Sequence, residues 1–352
     1  MTNKKPLVGV VGTHGLPANY SGWETLVKNL VRHKQRVDYL VATPAHRKKN
    51  HDSKYANISI YIPLNASGWQ SIFYDLISLL LLIRRCDSIL ILGISGCIFL
   101  PFVKLFTKKN IIVNTDGIEY RRQKWGIIAS SILKLSEGMA VKYASKIVAD
   151  NKGIAEYILK KYKRNVDAII EYGGIDKVTK ADLHSEKYKF KHKCYDLAIA
   201  RIVPENNIET ILNAYNNSSH DLVFIGNWMT SKYSKSLYRK RWSKNINLFM
   251  PDFNELRLTS LRKSCRYYVH GHSAGGTNPS LVEALSIGCN ILCFNINFNR
   301  VILSRLGSYW KCEKELKSLI DSNINSDYDK IVKYYLNNFD WKKIVTKYEL
   351  LY

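Results

Sequence analysis

The chain has 352 residues, 46% of them hydrophobic, and carries 53 Lys and Arg against 29 Asp and Glu, a formal net charge of +24. That length holds two domains of ordinary size, and that apolar share excludes a disordered chain. The excess of base fits a phosphate-rich substrate, an anionic lipid surface or nucleic acid as partner, or a compositional bias toward Lys and Asn. Spread along the chain, it selects none of them.

Lys4 and Lys5 lead directly into Leu7-Val8-Gly9-Val10-Val11, which reads as a strand with no signal peptide ahead of it. Gly12 follows, then a helix from about Ser21 to His33. Further strands are expected at Arg36 to Ala42, Ile58 to Ile62, Ile89 to Leu92, Ile111 to Asn114, Ile147 to Ala149 and Ala168 to Glu171, with helical stretches between most of them. Ile89 to Phe106 is apolar but holds Gly93, Gly96, Pro101 and Lys104, so a strand, a glycine turn and a short helix are expected rather than a membrane span. Leu76 to Ile83 reads as a short helix face, and peripheral membrane contact stays open. Residues 173–194 form a polar, Lys-rich linker. A second alternation then takes in Tyr195 to Ala200, Leu222 to Ile225, Ile246 to Met250, Tyr267 to His270 and Asn290 to Phe294. Alternation of this kind predicts doubly wound parallel sheets in two α/β domains, with ligands bound in a cleft at the carboxyl ends of the strands.

Four segments carry chemistry. Gly12-Thr13-His14-Gly15, running on through Tyr20, Ser21, Gly22, Trp23 and Glu24, opens a helix after the first strand. Its glycines permit close backbone approach, and Ser21 with Glu24 has the spacing of a capping box. A structural turn is the competing reading. The spacing Gly9-x-x-Gly12-x-x-Gly15 lacks the dinucleotide-binding fingerprint, and no acid ends the second strand. In Asn114-Thr115-Asp116-Gly117-Ile118-Glu119-Tyr120-Arg121, Asp116 either orients an acceptor hydroxyl, stabilises charge at a sugar carbon, or merely caps a turn. Arg121, Arg122 and Lys124 are either a solvated face or a seat for an acceptor diphosphate. After Ala200, Arg201 can clamp a diphosphate or be an ordinary surface residue.

The fourth segment, His270 to Ala284, reads as a strand end, a small-residue loop and a helix start with Asn278 as N-cap and Pro279 at the first helical position. Unpaired amides at such a start suit a phosphate, and Glu283 one turn on can accept hydrogen bonds from sugar hydroxyls. His270 and His272 share one side without a third metal ligand at a recognisable spacing, so satisfied structural histidines are expected and no metal. His14 can meet phosphate, acceptor or nothing. The seven cysteines, odd in number and without a CxxC pair, read as buried free thiols.

Together these segments resemble the GT-B glycosyltransferases of the large retaining family that includes sucrose and glycogen synthases, and more closely its bacterial rhamnosyltransferase branch. The matching parts are Gly12 to Thr25, Asp116-Gly117 with Glu119, Trp125, Ala200 to Ile208, His270 to Ala284, and Phe339-Asp340-Trp341, which is similar to the family's last helix. The resemblance implies a GT-B fold of two Rossmann-like domains facing a central cleft. The acceptor-side domain would be 1–172 with a returning helix at 340–352, and the nucleotide-sugar-binding domain 195–339. It implies donor contacts from Gly12, Gly15, Arg201, Asn206, Gly275, Gly276, Thr277, Asn278, Ser280 and Glu283, with Glu283 on the ribose. Acceptor contacts are expected from His14, Tyr20, Trp23, Glu119 and Arg121, and catalytic roles from Asp116 and Arg201. Gly275 stands where the wider family has the first of two glutamates, Asn206 stands where it has a lysine, and its histidine near Asp116 is missing.

The implied activity is metal- and cofactor-independent, retaining transfer of L-rhamnose from dTDP-L-rhamnose to a lipid-diphosphate-linked glycan in capsule, O-antigen or cell-wall synthesis. The expected place is the cytoplasm, peripherally on the inner face of the membrane. Transfer of galactose, glucose or mannose from a UDP or GDP donor is the alternative, as is a non-catalytic sugar-nucleotide-binding protein. A nucleic-acid partner is not expected, because no basic helix with interleaved aromatics occurs.

Overall fold

The computed structural model describes residues 4–18, 22–50, 53–115, 117, 120, 126–175, 188, 190–274 and 276–352. Contacts divide the chain into two units, Met1–Tyr172 with Trp341–Tyr352, and Gly173–Asp340.

In the first unit β1 (Leu7–Val11), β2 (Asp38–Pro44), β3 (Ser59–Ile62), β4 (Ser88–Leu92), β5 (Asn110–Asn114), β6 (Lys146–Ala149) and β7 (Ala168–Ile169) form one sheet in the order β3-β2-β1-β4-β5-β6-β7. Every pairing is parallel. Its central strands are dominated by Val, Ile and Leu because helices cover both faces: Val8, Val10, Leu90, Ile111, Ile112 and Val113 are all buried. Pairing runs one way from β1 to β3 and the other way from β4 to β7. Right-handed crossovers therefore put the helix Gly22–His33 on one face and the helices Gln70–Arg85, Leu100–Phe106 and Ile127–Tyr143 on the other. The expected short helix at Leu76 to Ile83 is thus the middle of a 16-residue helix. Ile89 to Phe106 forms β4, a glycine turn, a 3-10 turn at Ser95–Phe99 and a short helix. No helix among the described residues is long and apolar enough to cross a membrane.

The helix Trp341–Glu349 belongs to this first unit. Trp341 meets Tyr172 edge-on with ring centroids 5.2 Å apart. The Glu349 carboxylate accepts from the N–H groups of Gln35 (2.7 Å) and Arg36 (3.1 Å), and Asn114 Nδ2 donates to the Tyr348 hydroxyl at 2.6 Å.

In the second unit β8 (Tyr195–Ile199), β9 (Asp221–Ile225), β10 (Ile246–Phe249), β11 (Tyr268–His270), β12 (Ile291–Phe294) and β13 (Ser308–Trp310) form a parallel sheet in the order β10-β9-β8-β11-β12-β13. The edge strand β13 is an addition to the sequence reading. Of segment 173–194, the described residues pack on this unit: Ile175 N–H donates to Ser286 Oγ (3.2 Å), and the Tyr188 hydroxyl to Asp252 (3.0 Å). The described cysteines are all free, but Cys194 and Cys312 are exposed, against the expectation of burial.

Both sheets reverse direction at their first strand, the doubly wound order. In such sheets the ligand crevice opens at the carboxyl ends of the first and fourth strands, here β1 with β4 and β8 with β11.

Candidate functional site

The crevice of the second unit is built from the loops after β8 and β11. Asn206 is buried, and its Nδ2 donates to the Arg201 carbonyl at 2.8 Å, closing the turn that carries Arg201. That amide nitrogen is therefore engaged in holding the turn. The Arg201 side chain is exposed. The two loops zip together: Asn207 Nδ2 donates to Gly271 O (2.8 Å), and both the N–H (2.9 Å) and the hydroxyl (2.7 Å) of Ser273 donate to Glu205 O. Gly271 makes this approach possible, since a Cβ there would sit 2.3 Å from Asn206 O.

The helix Pro279–Ser286 begins where the sequence placed it. Asn278 is the N-cap, its side chain accepting from Ser280 N–H at 3.1 Å, and Pro279 fills the first position. The N–H groups of Leu281 (3.1 Å) and Val282 (3.2 Å) both reach Asn278 O. The first-turn amides are thus used within the helix, which moves any anion seat back to the loop at Gly276, Thr277 and Asn278. Thr277 is buried, while Gly276, Asn278 and Ser280 are half-buried. The Ser280 hydroxyl pairs with the Tyr268 hydroxyl and lies 3.3 Å from Ile199 O, so it ties the helix start to β8 and β11.

Glu283 projects one turn further with its side chain 27% exposed, and it is ion-paired to Arg262 of the helix Glu255–Ser264. Arg262 is 3% exposed and lies over the Tyr268 ring, with Nη2 3.5 Å from Ser280 Oγ. A carboxylate held by a buried guanidinium is fixed in orientation, a good acceptor for a diol. Sequence reasoning missed Arg262.

His270 departs from expectation. It is 1% exposed, its ring stacks on His272 with centroids 4.4 Å apart, and neither of its nitrogens has a hydrogen-bond partner among the described residues. Burial drives its pKa down to about 3, so the ring is neutral. It is buried but not satisfied. No group of three potential metal ligands occurs among the described residues.

The crevice of the first unit starts at Gly12, whose φ of +83° only glycine adopts readily and whose absent Cβ would lie 2.1 Å from Leu92 O at the end of β4. Buried Glu24 reaches back to accept from His14 N–H (2.9 Å) and Thr13 Oγ1 (3.2 Å), and the Tyr74 hydroxyl donates to Thr13 O (3.0 Å). Arg47, absent from the sequence reading, donates to the carbonyls of His14 (2.7 Å) and Pro17 (2.9 Å). Gly15 also has positive φ and packs on Thr43. His14 is half-buried, and its pKa is lowered by burial. Trp23 packs partly buried on the core, with its Nε1 near Gly93. Tyr20, Ser21, Asp116, Glu119, Arg121, Arg122, Lys124, Trp125 and Gly275 lie outside the described residues.

A family described as a domain of unknown function (DUF1972) matches residues 5–175. No curated protein matches the chain. Among solved structures it is similar to Anabaena HepE in complex with UDP, at TM-score 0.76 and 11% identity over 98% of each chain. It is similar to sucrose-phosphate synthase from Thermosynechococcus elongatus at TM-score 0.76 and 11% identity, covering 99% of this chain and 98% of that one. A glycosyltransferase from Rickettsia africae gives TM-score 0.71 and 14% identity over 99% and 98%. The fold is GT-B.

Proposed function

We propose that this chain is a glycosyltransferase that uses a nucleotide-sugar donor, with the nucleotide bound in the second unit. The observation that carries the reading is the pairing of Glu283 with buried Arg262 at the β8–β11 crevice, one helical turn past the Gly276–Asn278 loop and beside the turn presenting Arg201. A fixed carboxylate suits the ribose diol. The loop amides and the Arg201 guanidinium suit the diphosphate, whose growing charge the guanidinium would stabilise as the glycosidic bond breaks. HepE, with the same fold, has been seen with UDP and with UDP-glucose.

The finer reading is retaining, metal- and cofactor-independent transfer of L-rhamnose from dTDP-L-rhamnose to a lipid-diphosphate-linked glycan at the inner membrane face, as in capsule, O-antigen or cell-wall synthesis. The first unit, with His14, Tyr20, Trp23, Glu119 and Arg121, would serve the acceptor, and Asp116 would assist the chemistry. Gly12 and Gly15 would face the phosphates, and Gly275 and Ser280 would complete the donor loop. A transfer assay with radiolabelled donor tests this: activity is expected to vanish in Arg201→Ala and Glu283→Gln and to survive EDTA. A thermal-shift screen of dTDP-, UDP- and GDP-sugars identifies the donor, since a ligand bound only to the native state raises the melting point. Equal transfer by both variants would remove the site assignment.

A second reading, a sugar-nucleotide-binding protein without catalysis, is favoured by one feature: Gly275 replaces the glutamate that the wider family places against the transferred sugar. Tight donor binding with no transfer to any lipid-linked acceptor would select it.

A further inference from the structure

On the sheet face of the first unit that carries the helices Gln70–Arg85, Leu100–Phe106 and Ile127–Tyr143, the outer surface is apolar. Trp69, Phe73 and Leu80 follow one another at helical spacing along the outside of the first helix, with Trp69 76% exposed. Phe102, Leu105 and Phe106 project from the second, Leu105 being 78% exposed, and the Phe102 and Phe106 rings meet at 4.9 Å. Ile127, Ile128 and Leu135 do the same on the third, Ile127 being 88% exposed. Of eleven exposed large hydrophobic residues described in this unit, these are nine, so the apolar exposure belongs to one face rather than being scattered.

The exposed charge within the three helices has one sign, Arg84, Arg85, Lys134 and Lys142; beside them lie exposed Lys108 and, next to Arg85, the exposed acid Asp87, so cations prevail. The only acids within the helices are Asp75 and Glu137. Both are buried, Glu137 against Lys161 and Asp75 beneath Ser95. A second copy of the chain would set these cations against each other across a two-fold contact, and a folded acidic protein would leave the protruding aromatics to find matching pockets. A bilayer with anionic headgroups receives both features at once: the large side chains enter the acyl boundary and the cations stay among the phosphates.

We propose that this face docks the protein on an anionic phospholipid bilayer. Its purpose rests on the lipid-linked-acceptor reading above; its geometry does not. The test is flotation of the full chain with vesicles of phosphatidylglycerol and phosphatidylcholine, against vesicles of phosphatidylcholine alone. Binding is expected to the anionic vesicles and to weaken in high salt. Leu105→Ser with Phe106→Ser should lower the partition coefficient about tenfold or more. Arg84→Glu with Lys108→Glu should lower it on anionic vesicles only. Phe253→Ser with Leu256→Ser, exposed in the other unit, should leave it unchanged. Melting temperature and binding of UDP or dTDP by calorimetry are expected to stay at wild-type values in all three. Loss of nucleotide binding in the wild type would sink the transferase reading without touching the docking surface. Equal flotation of the wild type and the two face variants would overturn the proposal. So would a wild-type dimer in sedimentation that ignores vesicles and falls apart in those variants.

Discussion

Arg262 and Glu283 form an ion pair across 21 residues of sequence, joining the helix Glu255–Ser264 to the helix Pro279–Ser286. The pair is asymmetric: Arg262 is 3% exposed and Glu283 27%. Removing Glu283 strands a guanidinium in the interior, whereas removing Arg262 leaves a carboxylate that water can reach. Glu283→Gln is therefore expected to cost about 3 kcal/mol of stability and Arg262→Met less, about 1–2 kcal/mol. The double variant Arg262→Met with Glu283→Met should lie closer to wild type than the sum of the single changes, which urea unfolding of the four proteins measures directly. Additive losses would show that the two side chains do not act together. Because Arg262→Met keeps the carboxylate but frees its orientation, nucleoside diphosphate affinity is expected to fall in that variant as well.

His270 is buried with no partner for either nitrogen among the described residues, and its pKa is lowered from 6.5 to about 3. Between these values the unfolded chain takes up a proton that the folded chain refuses. The unfolded state therefore binds more protons there, and stability rises with pH through that window. Above about 6.5 the loss is absent, and below about 3 it grows no further. His270→Leu, similar in size and without polar atoms to leave unsatisfied, should raise stability at neutral pH by about 1 kcal/mol. The difference between variant and wild type should widen as pH drops from 6.5. Unfolding midpoints at a series of pH values check it; a constant difference would mean that the folded ring takes up a proton as readily as the unfolded one.

Gly12 and Gly68 share left-handed φ angles, +83° and +68°, in different surroundings. A Cβ on Gly12 would stand 2.1 Å from Leu92 O, whereas one on Gly68 would meet nothing within 4 Å. Gly68→Ala is expected to cost only the backbone conformation, about 1 kcal/mol. Gly12→Ala must in addition part the ends of β1 and β4, and at least about 3 kcal/mol is expected. Thermal melts of the two variants make the comparison, and equal losses would refute the close approach.

The doubly wound fold was legible because its inner strands are covered on both faces and so are rich in apolar residues, as at Leu7–Val11 and at 111–113. β13 escaped notice because three residues at a sheet edge, Ser308–Trp310, carry no periodicity. At the site, Asn278 and Pro279 could be placed because capping is local chemistry. Arg262 could not: it sits in the polar run Thr259-Ser260-Leu261-Arg262-Lys263, and nothing nearby separates the buried Arg262 from the half-buried Lys263 beside it. Arg47 reaches His14 from 33 residues away, beyond any pattern of spacing. His270 shows the same limit. Alternation gave the side it faces, but no local pattern gives the partners of a buried ring.

Asp196, in the amino half of β8, separates fold from site in an experiment. It is fully buried and accepts from Arg266 Nε (2.9 Å) and Nη2 (2.6 Å), from Tyr267 N–H (3.1 Å) and from the Tyr215 hydroxyl (2.6 Å). Asp196→Ala leaves the Arg266 charge and the buried Tyr215 hydroxyl without their acceptor, and about 3–5 kcal/mol is expected to be lost. The strand's other end carries the Arg201 turn, so nucleotide affinity of the protein that remains folded should not change. Arg201→Ala is expected to do the reverse, since its exposed side chain contributes little to folding. Calorimetric titration of UDP or dTDP beside denaturant melts of both variants reads the two effects apart. If Asp196→Ala weakened binding while the fold held, the crevice would have to reach the amino end of β8, which a parallel sheet of this winding does not allow.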